Sequence, residues 1–494
     1  MGEKERVLSG TSYVFASTIT GMVTALLLRL LLVRYLGIQD YGVLALSISV
    51  LAIFALVADL GFSSALPRFV ADRLNESRLN RLITAGVVAS AAAGSISCAF
   101  IFLVSSTSGI VFGMPALPPL LVILGIYLPF SLAALSFLAA INGLRRMRLY
   151  SALIVFMHVS GLGITGIVLA LGGGLFGAAI ATTVSSMVHF AVLLLAGRRY
   201  LSWQGLRRVW SDTRELLGFG IKMSATNWTS TLLYQVDIIF LALFTKSDLL
   251  VGYYSIAVFM ARTLWLVPGS LSVVAYPAIS EYWSEGARSR IEGIVSRGLR
   301  FGAGIVSVSA VLLAYFGPDV LSILFGAQTR PAYEPLAILI LGMAMLGTAR
   351  SVASGISSAG QPTLGLKISL VGLAASVILN VALIPLFGLV GAALATTLAY
   401  GLTAVLLFHF IQKVLRVRLD KRWFVEVSCL VAALGVPGAF LSITNVLPEW
   451  VRWLSGLTAA SLLAVALSRR LFSKEDLAFV TARLRQAIRG PLPP

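Results

Sequence analysis

Six ionisable side chains stand inside otherwise apolar runs: Arg29, Asp59, Lys222, Asp237, Arg262 and Arg350. An ionised group at membrane depth costs at least about 2.5–3.5 kcal/mol on insertion scales. Such a group faces a bundle interior or a wet cavity, or it only snorkels or pairs for structure. Four of the six are cations. A low-dielectric cavity lined by Arg29, Lys222, Arg262 and Arg350 would attract an anion. The planar fork of arginine suits phosphate in particular. The two acids, Asp59 and Asp237, are candidate proton or sodium carriers; equally, each could neutralise a neighbouring arginine.

Other chemistry is missing. His158, His189 and His409 are scattered over separate runs, and Cys98 and Cys429 lie in apolar stretches as packing residues. That pattern offers neither a metal set nor a disulfide framework. Gly360-Gln-Pro-Thr-Leu-Gly365 begins like a phosphate-binding loop, but Leu366 stands where lysine is needed. ATP binding is therefore not expected. No HExxH, paired acidic motif or Ser-His-Asp set is present. The reading is a transporter with no cofactor and no metal, not an enzyme.

The elements that position these charges are membrane spans. The chain is 58% hydrophobic and 12% charged, with mean hydropathy +0.94. A soluble domain carries about 25% charged residues. A span needs about 20 apolar residues. Runs of that kind cover 10–33, 43–66, 82–107, 116–141, 149–171, 174–196, 218–244, 250–280, 301–325, 332–359, 364–387, 388–409, 423–445 and 450–468. The first run is long and lacks a small-residue cleavage site, so it is expected to stay as span 1. The fold class is thus an all-α polytopic membrane protein of about 14 transmembrane helices.

The net charge of +18 is an orientation signal. Both termini and the even-numbered loops hold thirty of the 38 Lys and Arg; the odd-numbered loops hold only Arg34, Lys246, Arg330 and Arg452. Cytoplasmic loops collect cations. Both termini are expected in the cytoplasm, and a nucleic-acid partner is excluded.

The chain also repeats. Gly10, Gly42 and Pro67 recur as Gly220, Gly252 and Pro277 with the same spacings of 32 and 25. Gly174-Leu-Phe-Gly-Ala-Ala-Ile-Ala-Thr-Thr183 recurs as Gly388-Leu-Val-Gly-Ala-Ala-Leu-Ala-Thr-Thr397. Two collinear matches define two pseudo-symmetric six-helix lobes, 1–197 and 216–412, plus two appended C-terminal helices at 423–470. Residues 198–215 form a basic amphipathic linker, with Trp203, Leu206, Trp210 and Thr213 on one face. The tail, 473–494, has a similar stripe of Leu477, Val480, Leu484 and Ile488. Both are expected to lie at the bilayer surface. Transporters built from repeats place substrate at the repeat interface. The alignment sets Asp237 opposite Leu27, two residues from Arg29, as a candidate charge pair.

Val33-Arg-Tyr-Leu-Gly-Ile-Gln-Asp-Tyr-Gly-Val-Leu-Ala-Leu46, followed by Ala58-Asp-Leu-Gly-Phe-Ser-Ser-Ala-Leu-Pro-Arg68, resembles the Wzx-type polysaccharide flippases. These belong to the multidrug/oligosaccharidyl-lipid/polysaccharide exporter superfamily. The resemblance covers residues 1 to about 412 and also fits the appended helices. It implies a cell-membrane flippase that serves lipopolysaccharide or another cell-envelope glycan. The implied substrate is a polyprenyl-pyrophosphate-linked oligosaccharide, moved from the cytoplasmic to the outer leaflet. The implied partners are that lipid, the bilayer and polysaccharide-assembly proteins. Relatives hold pyrophosphate in a cationic cavity, a role that Arg29 and Arg262 fit. Lipid II flippases have a more arginine-rich first helix, and drug/sodium antiporters favour acidic cavities; both remain alternatives.

Reporter fusions test the orientation. Fusions at Ser77, Arg146, Trp203, Arg288 and Arg416 are expected to read cytoplasmic, and those at Gln39, Gly113, Ser247 and Pro448 outside. A cytoplasmic signal at Ser247 would break the arrangement of six spans plus six.

Overall fold

A computed structural model describes residues 3–71, 75–202, 209–444 and 446–471. The tail at 473–494 and linker residues 203–208 lie outside the described residues. Among those described, every regular element is a helix. Apolar helical stretches long enough to cross a membrane number twelve, and two of them, Tyr13–Asp59 and Thr363–Leu415, are far longer than a bilayer needs. Each of these two breaks at one glycine. In α1 (Glu3–Asp59) the break is Gly37, with φ +75. The Arg29 guanidinium donates to the Tyr41 hydroxyl at 2.9 Å, although a continuous helix would hold the two residues about 18 Å apart along its axis. The chain therefore turns back at Gly37. The second break is Gly388, with φ +53. Here the Gly391 backbone packs on the Leu383 carbonyl. Counting both hairpins, the described residues form fourteen crossings, and the protein is a multi-pass membrane protein.

Two compact units emerge from the packing. The first comprises Met1–Ser255, Leu324–Thr329 and Ser376–Ala392. Its helices are α1, α2 (Phe62–Ala71), α3 (Glu76–Phe112), α4 (Leu117–Gly125), α5 (Tyr127–Gly143), α6 (Met147–Ala170), α7 (Gly174–Gly197), α8 (Val209–Leu233), α9 (Val236–Thr245) and the start of α10 (Asp248–Arg262). Residues 209–215 of the linker run straight into α8. Val70, Ile83, Val87, Phe137, Ile141 and Leu193 form one core. Glycines from the repeat meet within this unit. A Cβ on Gly42 would overlap the backbone of Asp248 and Gly252, and one on Gly61 would overlap the Gly220 carbonyl. Small residues let membrane helices approach to backbone contact.

The second unit comprises Ile256–Ile323, Arg330–Ala375 and Ala393–Pro494. It contains α11 (Leu266–Ser284), most of α12 (Arg288–Phe325), α13 (Tyr333–Arg350), α14 (Ser354–Ser358), parts of α15 (Pro362–Leu415), and the appended α16 (Lys421–Thr444) and α17 (Glu449–Leu471). The appended pair packs on α12 through Val311, Tyr315, Trp423, Val427 and Leu463. Pro318 lies inside α12, and its missing N–H leaves the Ala314 carbonyl without a helical donor. Two side chains replace that donor. The Tyr333 hydroxyl donates to Ala314 O, and so does Ser442 Oγ of α16 at 3.0 Å. Close by, Arg452 of α17 is 2% exposed, and its Nη2 donates to both oxygens of Asp319 at 2.7 Å.

One bond occurs in both units. Thr183 Oγ1 donates to Ile123 O at 3.0 Å, and the corresponding Thr397 Oγ1 donates to Ile338 O at 3.0 Å.

Gly61 takes a left-handed φ of +85 against the Gly220 backbone. Overpacking costs about 1–3 kcal/mol and the left-handed backbone about 1–2 kcal/mol more. Gly61→Ala is therefore expected to lower stability by about 2–5 kcal/mol. Gly163, with nothing within 4 Å of a built Cβ, should accept alanine with a gain of up to about 1 kcal/mol. Thermal melts of the purified protein in detergent separate the two; equal melting of Gly61→Ala and wild type would refute the crossing.

Candidate functional site

Four of the six intramembrane charges sit at helix ends. Arg262 closes α10 and Arg350 closes α13. Asp237 stands in the first turn of α9. Carbonyls at a helix C-terminus favour a cation, and N–H groups at an N-terminus favour an anion. Asp59 is the exception, because it ends α1. Its carboxylate instead accepts from Ser63 Oγ at 2.8 Å and Ser63 N at 3.3 Å, in the first turn of α2. The Leu60-Gly61 break between the two helices thus makes Asp59 a cap of the next helix.

In the second unit, the chain between α10 and α11 is a short turn, Thr263–Trp265. That turn aims Trp265. The Arg350 guanidinium lies over the Trp265 ring, 4.9 Å from its centroid, a cation–π contact. Trp265 Nε1 donates to Met343 O at 2.8 Å, and the Tyr400 ring leans on the indole at 5.7 Å. A Cβ on Gly347 would come within 2.9 Å of Trp265 Cδ1, so glycine leaves room for the indole edge. Arg262 is three residues before Trp265 in the same bend. Of the four predicted cations, Arg350 meets the indole, and Arg262 ends the helix that leads into the Trp265 turn.

In the first unit, Asp237 is 0% exposed. Its carboxylate accepts from the Tyr254 hydroxyl at 2.9 Å and from the Ile238 backbone N–H at 2.9 Å. The Tyr254 hydroxyl also reaches Ala392 O at 3.4 Å. Ala392 lies beyond the Gly388 hairpin. On its other arm, Asn380 is 0% exposed and donates to Ser376 O at 2.7 Å. Its side-chain oxygen is buried without a hydrogen bond. Arg29, half-buried, bonds Tyr41 in the same unit. The Lys222 side chain lies outside those described. In the turn outside spans 1 and 2, burial and then the nearby Asp248 carboxylate hold Asp40 above the ordinary carboxylate range.

An apolar cavity of about 520 Å³ opens in the second unit. Met345 and Thr348 of α13, Phe408 of α15, and Phe424, Ser428 and Val431 of α16 line it. Leu341, Ala344, Met345 and Thr348 share the face of α13 that lines the cavity, whereas Met343, Gly347 and Arg350, which meet Trp265, lie on its other face.

Sequence reasoning missed Tyr41, Tyr254, Trp265 and Asn380. For Trp265 a signal existed: Pro268 and Gly269 follow it and mark a bend. Asn380 is an amide in an apolar run eight residues before Gly388, which is a buried-polar signal. Nothing in the spacing picks out Tyr41 or Tyr254.

Helical spans broken at charged residues, with a recurring Thr-to-carbonyl bond, define a repeat-built membrane transporter fold. The chain belongs to the polysaccharide biosynthesis protein family, whose model matches residues 7–283. The model described as lipid II flippase MurJ matches residues 152–459. An uncharacterized membrane protein of Methanocaldococcus jannaschii is 29% identical over 238 residues, which are 47% of this chain and 46% of that one. The probable low-salt glycan biosynthesis flippase Agl15 of Haloferax volcanii is 24% identical over 53% of this chain and 56% of that one. The chain thus spans about half the length of the curated relatives it matches. A solved structure of the lipid II flippase MurJ, in an inward closed conformation, has the same fold. Its TM-score is 0.72 at 13% identity, covering 94% of this chain and 99% of that one.

Removing the Tyr254 hydroxyl leaves a fully buried carboxylate one donor short. Tyr254→Phe is expected to cost about 1–3 kcal/mol of stability. Asp237→Asn keeps an acceptor for that hydroxyl and should cost less. Detergent melts in which Tyr254→Phe is the milder change would contradict this bond's role.

Proposed function

We propose that the protein is a flippase moving polyprenyl-pyrophosphate-linked oligosaccharides from the cytoplasmic to the outer leaflet of the cell membrane by alternating access. The observation that carries this reading is the Arg350 guanidinium held over Trp265, just past the helix that Arg262 ends, in a unit that also holds the apolar cavity. That unit thus offers a cationic place for a pyrophosphate and, on the other face of α13, an apolar place for a lipid chain. Arginine binds phosphate oxygens through charge-assisted bonds. Arg29 and Lys222 are the other two proposed cations. Agl15, a probable low-salt glycan biosynthesis flippase, agrees with this substrate class. Both termini are cytoplasmic in this reading, and polysaccharide-assembly proteins are the natural partners.

Asp237 is the proposed ion-coupling residue. It is fully buried, and a tyrosine hydroxyl that can turn away holds it. Asp59 is occupied by Ser63 at both oxygens, which suits a structural role.

Reconstituted protein should move a fluorescent polyprenyl-pyrophosphate oligosaccharide without ATP. Each lost charge-assisted bond costs about 1.5–3 kcal/mol, so an Arg262→Ala, Arg350→Ala double variant should move it at least about tenfold more slowly. Lysine at either position should rescue only in part, because it lacks the fork. Ser428→Trp, which fills the apolar cavity, should slow a long-chain substrate more than a truncated one. Wild-type rates in the double variant would remove the anion site. Export of cationic dyes against sodium or protons, with the lipid ignored, would make the protein an antiporter.

A further inference from the structure

A second cavity of about 450 Å³ lies in the second unit, away from Trp265. Its lining includes Trp283, Arg288, Gln361, Phe410, Lys413 and Arg416. Trp283 is at the end of α11, and Arg288 is the first residue of α12. Gln361 and Arg416 flank the two ends of α15. Those ends are 55 positions apart, and the fold-back at Gly388 is what returns them to one side. All three loops involved are even-numbered, so the charge asymmetry of the sequence puts this cavity at the cytoplasmic surface.

The three cations are unlike their neighbours. Arg290 pairs with Glu285, Arg300 with Asp420, and Arg422 with Glu426. Arg288, Lys413 and Arg416 stand in no ion pair among the described residues, yet they line the same cavity. Like charges gathered without a counter-charge repel, and a bound anion relieves that repulsion. The cavity size falls within the range of small-ligand pockets. Trp283 and Phe410 add apolar surface beside the charges, and tryptophan favours the headgroup level of a bilayer.

We propose that this cavity binds the phosphate of an anionic phospholipid headgroup. Basic pockets between membrane helices on the cytoplasmic side hold such headgroups. The shared chemistry is a phosphate-bearing anion, and the position at the helix ends makes the lipid its source. This site is separate from the proposed transport site and does not depend on what is transported.

The test compares three purified proteins: wild type, the cavity variant R288Q/K413Q/R416Q, and a charge-matched control, R290Q/R297Q/R422Q. All six positions are exposed, so folding is not at issue. Phosphatidylglycerol is titrated into phosphatidylcholine micelles, and bound lipid is counted by native mass spectrometry. Each Lys or Arg near a headgroup is worth roughly fivefold in affinity. The cavity variant should therefore bind phosphatidylglycerol on the order of 100-fold more weakly, with the control close to wild type. Equal loss in the control would reduce the effect to general surface charge and overturn the site. Inorganic pyrophosphate is the second probe. If its binding falls in the cavity variant while phosphatidylglycerol binding does not, the site takes a soluble phosphate and the lipid is the wrong source. Equal binding of both probes by wild type and cavity variant would remove the site altogether. Binding is the readout throughout, so a failure of the flippase reading leaves this result standing.

Discussion

A backbone carbonyl in hydrocarbon has no water to bond, so every break in a membrane helix must find its partner inside the protein. That requirement organises much of the structure. Pro318 frees the Ala314 carbonyl, and Tyr333 and Ser442 satisfy it. The appended α16 is therefore tied to α12 at a backbone defect, beside the Arg452–Asp319 ion pair. The break near Trp265 is held by its indole N–H on the Met343 carbonyl. At the end of α12, Arg34 Nε donates to the Leu324 carbonyl at 2.9 Å.

The same requirement explains where four of the six intramembrane charges are. A helix interrupted inside the membrane exposes the partial charges of its own ends. A cation at the C-terminal end and an acid at the N-terminal end are each stabilised there. Arg262, Arg350 and Asp237 follow that rule. Asp59 breaks it at the end of α1 and satisfies it at the start of α2 through Ser63. Burial of these groups is thus offset by the breaks beside them.

The crossings were legible because hydrophobic length and cation asymmetry are strong, additive signals over twenty residues. The glycines were legible as a repeat, yet their contacts were not. Gly42 and Gly252 were paired by spacing, whereas the overlap that a Cβ would cause between them is a property of three dimensions. The breaks at Leu60-Gly61, Tyr234-Gln235 and Thr263–Trp265 lay hidden inside runs that read as single spans. Hydropathy averages over a window and cannot see a turn made from apolar residues. The charged residues could therefore be listed from the sequence, but their partners could not. Tyr41, Tyr254 and Trp265 look like ordinary aromatic packing until the breaks place them.

The geometry at Asp237 separates the two acids in kind. A hydroxyl carries one proton, so Tyr254 can donate to Asp237 or to Ala392 O, but not to both at once. The bond to Asp237 is the shorter, as it should be for a charged acceptor. When the carboxylate takes up a proton or a cation, its claim on that hydroxyl weakens, and the Ala392 carbonyl stands within reach as the other acceptor. In the proposed coupling role, occupancy at Asp237 would be felt at the Gly388 hairpin through that exchange. Asp59 has no such exchange, because the amide and hydroxyl of a single residue hold both its oxygens within one turn. Of the two carboxylates, Asp237 is the one whose hydroxyl donor also lies within reach of a second element.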